Sequence, residues 1–252
     1  MEDYQKPLRS GIYLLPNLLT TVGLFAGFYA VVAAMEGSFE VAAIAIFVAM
    51  IADGLDGRVA RLTSTQSIFG GHYDSMSDML SFGVAPALVM YSWALNYLGK
   101  IGWVASFLYA AATALRLARF NTQLHESKVK PYSQGLTCTA AAGMMASTVW
   151  LGSLYIHDVQ FFAIPIAILT VLVASFMVST FRYHLFKKLY FKGKVPFLTV
   201  VFSLFLITAV ALDPPGILFA IFSVYIFSGP CLTFWQIRKM RQAKRMHHHS
   251  AR

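Results

Sequence analysis

The apolar residues of this chain come in blocks of about 20, each long enough to cross roughly 30 Å of hydrocarbon as a helix rising 1.5 Å per residue. Nothing else about the sequence constrains its fold so tightly. The composition agrees: 58% of the 252 residues are hydrophobic and 12% are charged, against about a quarter charged in an ordinary soluble domain. A soluble globular enzyme, a disordered tail and a disulfide-stapled secreted module are all excluded. The chain reads as a polytopic, all-α integral membrane protein.

Eight spans are expected, over about 16–35, 39–61, 70–95, 101–120, 136–156, 159–180, 196–212 and 216–235. Their flanking charges set the orientation. With the N-terminus in the cytoplasm, 19 of the 20 Lys and Arg residues fall on the cytoplasmic side and only Lys100 lies outside, which is the positive-inside pattern with both termini cytoplasmic. The formal net charge of +9 then reflects contact with an anionic leaflet rather than with nucleic acid. A single membrane domain is expected, with a cytoplasmic segment 1–15, a transmembrane catalytic region 16–236 and a basic tail 237–252. That tail carries His247, His248 and His249 and is read as frayed and solvated, with anionic lipid or stray metal as the other possibility. Met1 to Ser10 is polar and no small-residue cleavage site follows, so no cleavable signal peptide is expected. Cys138 and Cys231 sit inside apolar blocks and are read as membrane-buried small hydrophobes, with neither a disulfide framework nor a thiolate metal site implied. Trp93, Trp103, Trp150 and Trp235 fall near span ends, as interfacial belts require.

Four of the 11 acidic residues do not belong in such a chain. Asp53 and Asp56 lie at the end of span two, and Asp74 and Asp78 near the start of span three. An uncompensated Asp within a span costs roughly 2.5–3.5 kcal/mol, so the four together cost on the order of 10 kcal/mol before depth is considered, comparable with the stability of a whole domain. At about 100° per residue, Asp53, Asp56, Gly57 and Ala60 share one helix face with Arg61 beside it. Gly70, Asp74, Ser77, Asp78 and Ser81 share a face of the next helix. A short connection lets the faces meet at the cytoplasmic boundary. Converging carboxylates without thiolates or histidines describe a hard-cation site for Mg²⁺, Mn²⁺ or Ca²⁺, and four negative charges are about what two divalent ions neutralise. Gly57 and Ala60 leave room for a ligand against the backbone, and Arg61 can take a phosphate oxygen.

Written out, the pattern is D-x2-D-G-x2-A-R-x8-G-x3-D-x3-D, eight fixed residues over the 26 positions from Asp53 to Asp78. It resembles the signature of the CDP-alcohol phosphotransferase family. The resemblance implies two divalent cations, a CDP-activated donor, displacement of CMP by an alcohol, a six-helix membrane core and a homodimer. It also implies metal ligation by Asp53, Asp56, Asp74 and Asp78, with Asp78 serving as general base on the acceptor hydroxyl. Gly57, Ala60, Arg61 and Gly70, with Asp53, would contact the nucleotide and diphosphate. Such transfer needs positioning and charge neutralisation more than covalent help from the protein.

Two further stretches, DSMSDMLSFGVAPA from Asp74 to Ala87 and ALRLARFN from Ala114 to Asn121, resemble the phosphatidylserine synthase branch. Its members transfer a phosphatidyl group from CDP-diacylglycerol to L-serine. That branch implies an enzyme of the inner (cytoplasmic) membrane with its active site facing the cytoplasm. Asn17 and Thr20 either line the nucleotide pocket or cap and pack the first helix. Arg116 and Arg119, one turn apart with Asn121 following, either anchor span four by snorkelling or bind an anionic group of acceptor or lipid. Charge alone does not name the acceptor. Glycerol-3-phosphate, inositol phosphate and choline stand as alternatives, and a cation transporter as a remote one. Tyr73 replaces the aliphatic residue more usual before the third aspartate. His72 is read as interfacial. The loop 121–135, with His125, Glu126, Lys128, Lys130, Pro131, Tyr132 and Ser133, either closes over the site or is only a charged connection.

Overall fold

The structure, a computed structural model, describes residues 14–63, 65, 67–125, 132–184 and 197–250. The expectations placed on 1–13, on the loop residues 126–131 and on the basic run at 187–194 lie outside these residues. So do the side chains of Tyr132, Ser133, Trp235 and the histidines of the tail.

The apolar blocks are helical. They are α1 (Leu14–Met35), α2 (Phe39–Leu62), α3 (Ile68–Asp78), α4 (Ala85–Trp93), α5 (Lys100–His125), α6 (Cys138–Tyr155), α7 (Val159–Val178), α8 (Phe197–Leu212) and α9 (Pro214–Ser250). Four of them contain segments long and apolar enough to cross a membrane by length and composition, at 15–35, 100–122, 159–178 and 214–231. Two departures from the sequence reading stand out. The third block is not one regular helix, because six residues of π-helix, Met79–Val84, separate α3 from α4 with helical backbone at both joints. The other is that α9 runs past the end of the eighth expected span and stays helical through Ser250.

The bundle is held at close range by small residues, as expected where lipid is as apolar as the protein interior and packing must drive association. Ala26, Ala30, Ala33 and Ala34 of α1 face Ala42, Ala43, Ala45 and Ala49 of α2, all buried, across a hairpin closed at Gly37 and Ser38. Against this pair lies the α3–π–α4 run. Gly27 marks the tightest point, where a Cβ would stand 2.7 Å from the Cα of Ser81, so only glycine lets these backbones meet. Ser77 Oγ donates to the carbonyl of Thr20 at 3.2 Å and Ser81 Oγ to that of Gly23 at 3.0 Å, giving the seam polar rungs. The central helix is α6, buried continuously from Ala140 to Ser147 and packed on α2, α4 and α9. Large apolar side chains such as Phe25, Phe28, Ile51, Phe161 and Phe205 point outward, a pattern that suits hydrocarbon and not water. Trp93 is not part of a belt: it is 4% exposed and fits against Gly152 in the core.

A short antiparallel ladder, β1 (Tyr132–Gln134) with β2 (Arg182–His184), joins the connection before α6 to the one after α7. Gly135 closes it with φ +82°, at a point where a Cβ would strike the backbone of Met177. Two tyrosines repair backbone that prolines leave open. Pro86 and Pro230 have no N–H for the carbonyls four residues back, and Tyr109 Oη donates to Phe82 O at 3.0 Å while Tyr183 Oη donates to Ile226 O at 3.1 Å. Both hydroxyls are on fully buried rings. Burial pushes the Tyr183 hydroxyl well above its ordinary pKa, so it stays a proton donor.

Candidate functional site

The spacing that put Asp53 and Asp56 on one face of α2, and Asp74 and Asp78 on one face of α3, is realised by the packing of both helices on α1. One ligand oxygen each from Asp53, Asp56 and Asp74 lie within 4.8 Å of one another. Asp78, one turn on, lines the same small cleft, whose walls also include Thr20, Gly23, Ser77 and Ser81. Asp56 is 5% exposed. At such separations each pair of carboxylates repels by on the order of 4 kcal/mol at an effective dielectric of 20. The donor set is all hard oxygen. A divalent cation therefore fits the residues present: Asp53, Asp56 and Asp74 can hold it, and a hard ion such as Mg²⁺, Mn²⁺ or Ca²⁺ matches their chemistry better than a thiophilic one.

Thr20 approaches Asp56 from α1. Its hydroxyl has one proton, shared between Asp56 Oδ2 at 2.7 Å and its own Pro16 carbonyl at 3.1 Å. Its immediate partner is thus a site carboxylate, which neither pocket lining nor helix capping had specified. Asn17 faces the start of α3, with its Oδ1 3.4 Å from where a Cβ on Gly70 would stand. Ser67 caps α3 by accepting from Gly70 N at 3.0 Å. Tyr73 also ties α3 to α1, through a 2.9 Å hydrogen bond between its hydroxyl and Thr21, and it stacks on Phe69. Gly57, Ala60 and Arg61 continue α2 beyond Asp56 on the next turn. Arg61 is exposed, and its guanidinium runs back over Gly57, 3.6 Å from the absent Cβ.

The residues on α5 divide. Asn121 reaches α3, donating from Nδ2 to Ser75 Oγ at 3.1 Å, beside Asp74. Arg116 turns inward. Thr113 of α5 lies against Gly83 and Asn121 reaches Ser75, which brings Arg116 between them to the level of Asp78, and its Nη1 donates to Cys138 Sγ at 2.8 Å. Simple snorkelling does not describe a guanidinium so placed. Arg119 is half-buried, and none of Arg116, Arg119 and Asn121 is among the residues lining the cleft. His72 is exposed. Sequence reasoning missed Cys138 as a polar partner, the π-helical turns directly after Asp78, and Tyr109 beneath them. Pro86 was the one available signal for the last of these.

The sequence model of a family described as CDP-alcohol phosphatidyltransferase matches residues 13–173 of this chain. A protein named CDP-diacylglycerol–serine O-phosphatidyltransferase from Helicobacter pylori (strain ATCC 700392 / 26695) is 36% identical over 216 residues, covering 85% of this chain and 90% of its own. One of the same name from Methanocaldococcus jannaschii is 31% identical over 172 residues, 68% of this chain and 74% of its own. A protein named archaetidylserine synthase from Methanothermobacter thermautotrophicus is 39% identical over 109 residues, 42% of this chain and 46% of its own.

Proposed function

Since the chain belongs to the CDP-alcohol phosphatidyltransferase family, we propose that it transfers the phosphatidyl group of CDP-diacylglycerol to the hydroxyl of L-serine, giving phosphatidylserine and CMP. The observation that carries the reading is the meeting of Asp53, Asp56 and Asp74 within 4.8 Å, in the register of the family motif. The serine-specific names of relatives that match most of the chain support the acceptor.

In this reading Asp53, Asp56 and Asp74 hold a divalent cation, and Asp78 contributes to a second. When bound, the cations neutralise the donor diphosphate and polarise the phosphorus under attack. Gly57 and Ala60 let the nucleotide lie against α2, and Arg61 takes a phosphate oxygen, with Asn17 and Gly70 bordering the same space. Thr20 orients Asp56. Asp78 accepts the serine proton as the hydroxyl attacks phosphorus and the bond to CMP breaks. Arg116, Arg119 and Asn121 receive the anionic groups of the acceptor or lipid. The fold reading completes this picture: eight spans around a six-helix core, both termini in the cytoplasm, a cytoplasm-facing site in the inner membrane and a homodimeric assembly.

The test is label transfer with purified protein, CDP-diacylglycerol and Mn²⁺ or Mg²⁺, with labelled serine offered beside labelled glycerol-3-phosphate. Serine-dependent CMP release with a labelled lipid product is the expected result. Product from glycerol-3-phosphate alone would overturn the acceptor. Absence of CMP with any alcohol would overturn the transfer itself, since a cation transporter does not form CMP.

A further inference from the structure

A guanidinium carries five N–H donors in a rigid fork, and in Arg116 two of its nitrogens are in opposite situations. Nη1 donates to Cys138 Sγ at 2.8 Å. Among the described residues Nε is buried with no hydrogen-bond partner, although a buried donor left unmade, above all a charged one, forfeits its full hydration. Sulfur is a weak acceptor and would not be chosen to satisfy an arginine. It does hold one end of the fork still, because Cys138 is 2% exposed in the first turn of α6. That turn is itself fixed: Thr137 accepts from Ala140 N at 3.2 Å as its cap and is hydrogen-bonded to Tyr225 of α9.

We propose that Cys138 is a positioning residue. Its Sγ anchors Nη1 of Arg116 and so turns the Nε edge toward the carboxylate of the acceptor amino acid beside Asp78. The inference rests on the serine-transfer reading and on Arg116 as an acceptor ligand. The chemistry of serine favours the acceptor over the lipid phosphate. Its hydroxyl must reach Asp78, and its carboxylate lies only two carbons away, so the cation that holds it must stand next to Asp78, the level at which Arg116 lies between the α5 contacts to Gly83 and to Ser75. A carboxylate fits the side edge of a guanidinium with two parallel hydrogen bonds and supplies the acceptor that Nε lacks. A lysine offers no such edge.

The experiment is steady-state kinetics in detergent micelles containing CDP-diacylglycerol for the wild type, Cys138→Ala, Cys138→Ser, Arg116→Lys and the Cys138→Ala/Arg116→Lys double variant. Melting temperatures serve as the folding control. Cys138→Ala is expected to raise the serine KM about tenfold, the order of one lost charge-assisted hydrogen bond. That rise should exceed any fall in kcat at saturating serine, with the KM for CDP-diacylglycerol unchanged. Cys138→Ser, which keeps an acceptor, should recover most of the loss. In the Arg116→Lys background Cys138→Ala should add nothing, because the anchor has lost its fork. Cys138→Val, which removes the acceptor at similar volume, reads the same effect if alanine unsettles the fold. Equal effects of Ala and Ser, or additivity with Arg116→Lys, would make Cys138 a packing residue and overturn the proposal. A rise in the CDP-diacylglycerol KM instead would move Arg116 to the lipid phosphate and overturn it as well. Wild-type protein that releases no CMP with serine would overturn the transfer reading itself, an outcome distinct from these.

Discussion

Replacing Thr20 with valine keeps the β-branched shape on α1 and removes one hydroxyl, the group that donates to Asp56 Oδ2 at 2.7 Å. Asp56 is 5% exposed, so water cannot readily replace that donor. A hydrogen bond to a charged group contributes about 1.5–3 kcal/mol, and 1.4 kcal/mol is a factor of ten. Loss of the Thr20 bond therefore weakens divalent-ion binding by about 10- to 100-fold, the range typical of residues that orient a metal ligand. Part of the effect is directional, since a free carboxylate can rotate away from the position it shares with Asp53 and Asp74. The assay is CMP release as a function of Mn²⁺ concentration in a metal-buffered solution. Thr20→Val should shift the midpoint upward by that factor and approach wild-type turnover at saturating Mn²⁺, while Thr20→Ser should stay near the wild type. An unchanged midpoint in Thr20→Val would refute the coupling between this hydroxyl and the metal ligand. A loss of turnover that no Mn²⁺ concentration restores would instead place Thr20 in the reacting geometry.

Asp78→Asn should lower kcat by about 10²- to 10⁴-fold, the usual contribution of a general base, while CDP-diacylglycerol still binds; near-normal turnover would remove Asp78 as the base. Gly27→Ala brings a Cβ against the backbone of Ser81, which no side-chain rotation relieves, and should destabilise the protein by about 1–3 kcal/mol, seen as a lower melting temperature in detergent. Tyr109→Phe and Tyr183→Phe leave the carbonyls of Phe82 and Ile226 without the donor that a proline also fails to supply. Each should cost about 1–2 kcal/mol by thermal melting, and only Tyr109→Phe should also lower kcat, because Phe82 sits in the π-helical turns beside Asp78. Chelation of divalent ions should abolish CMP release, and Mn²⁺ or Mg²⁺ should restore it; full activity in excess chelator would separate the Asp cluster from the chemistry.

The helices and the heart of the site were legible in the amino-acid order because both rest on large local terms. A block of about 20 apolar residues has one favourable place in a membrane, and a carboxylate inside such a block is too costly to be incidental. The start of every helix but α4 follows from this within a few residues, and the register from Asp53 to Asp78 places the carboxylates two to a face on successive helices without any knowledge of packing. The misreadings have equally physical causes. Hydropathy cannot see a π-helical turn, which changes the hydrogen-bond register but not the composition, so the third block reads as one continuous span. It also cannot stop α9 at Trp235, because charged residues form helix as readily as apolar ones once the chain leaves the hydrocarbon. Trp93 lies near a span end and was taken for an interfacial residue, yet Gly152 opens a slot for it in the core.

Sequence alone therefore determined that the chain is a helical membrane protein, that four aspartates lie on two helix faces able to meet, and which family chemistry that pattern resembles. Tertiary structure alone decided which polar groups touch: Thr20 with Asp56, Asn121 with Ser75, Arg116 with Cys138, and two tyrosines with carbonyls opened by prolines. Helical periodicity places a residue on a face of its own helix, whereas a hydrogen bond between helices needs their separation and rotation correct to within a few tenths of an ångström. Those quantities are set by the close seam of Gly27, Ser81 and the facing alanines of α1 and α2, the summed packing of residues far apart in the chain.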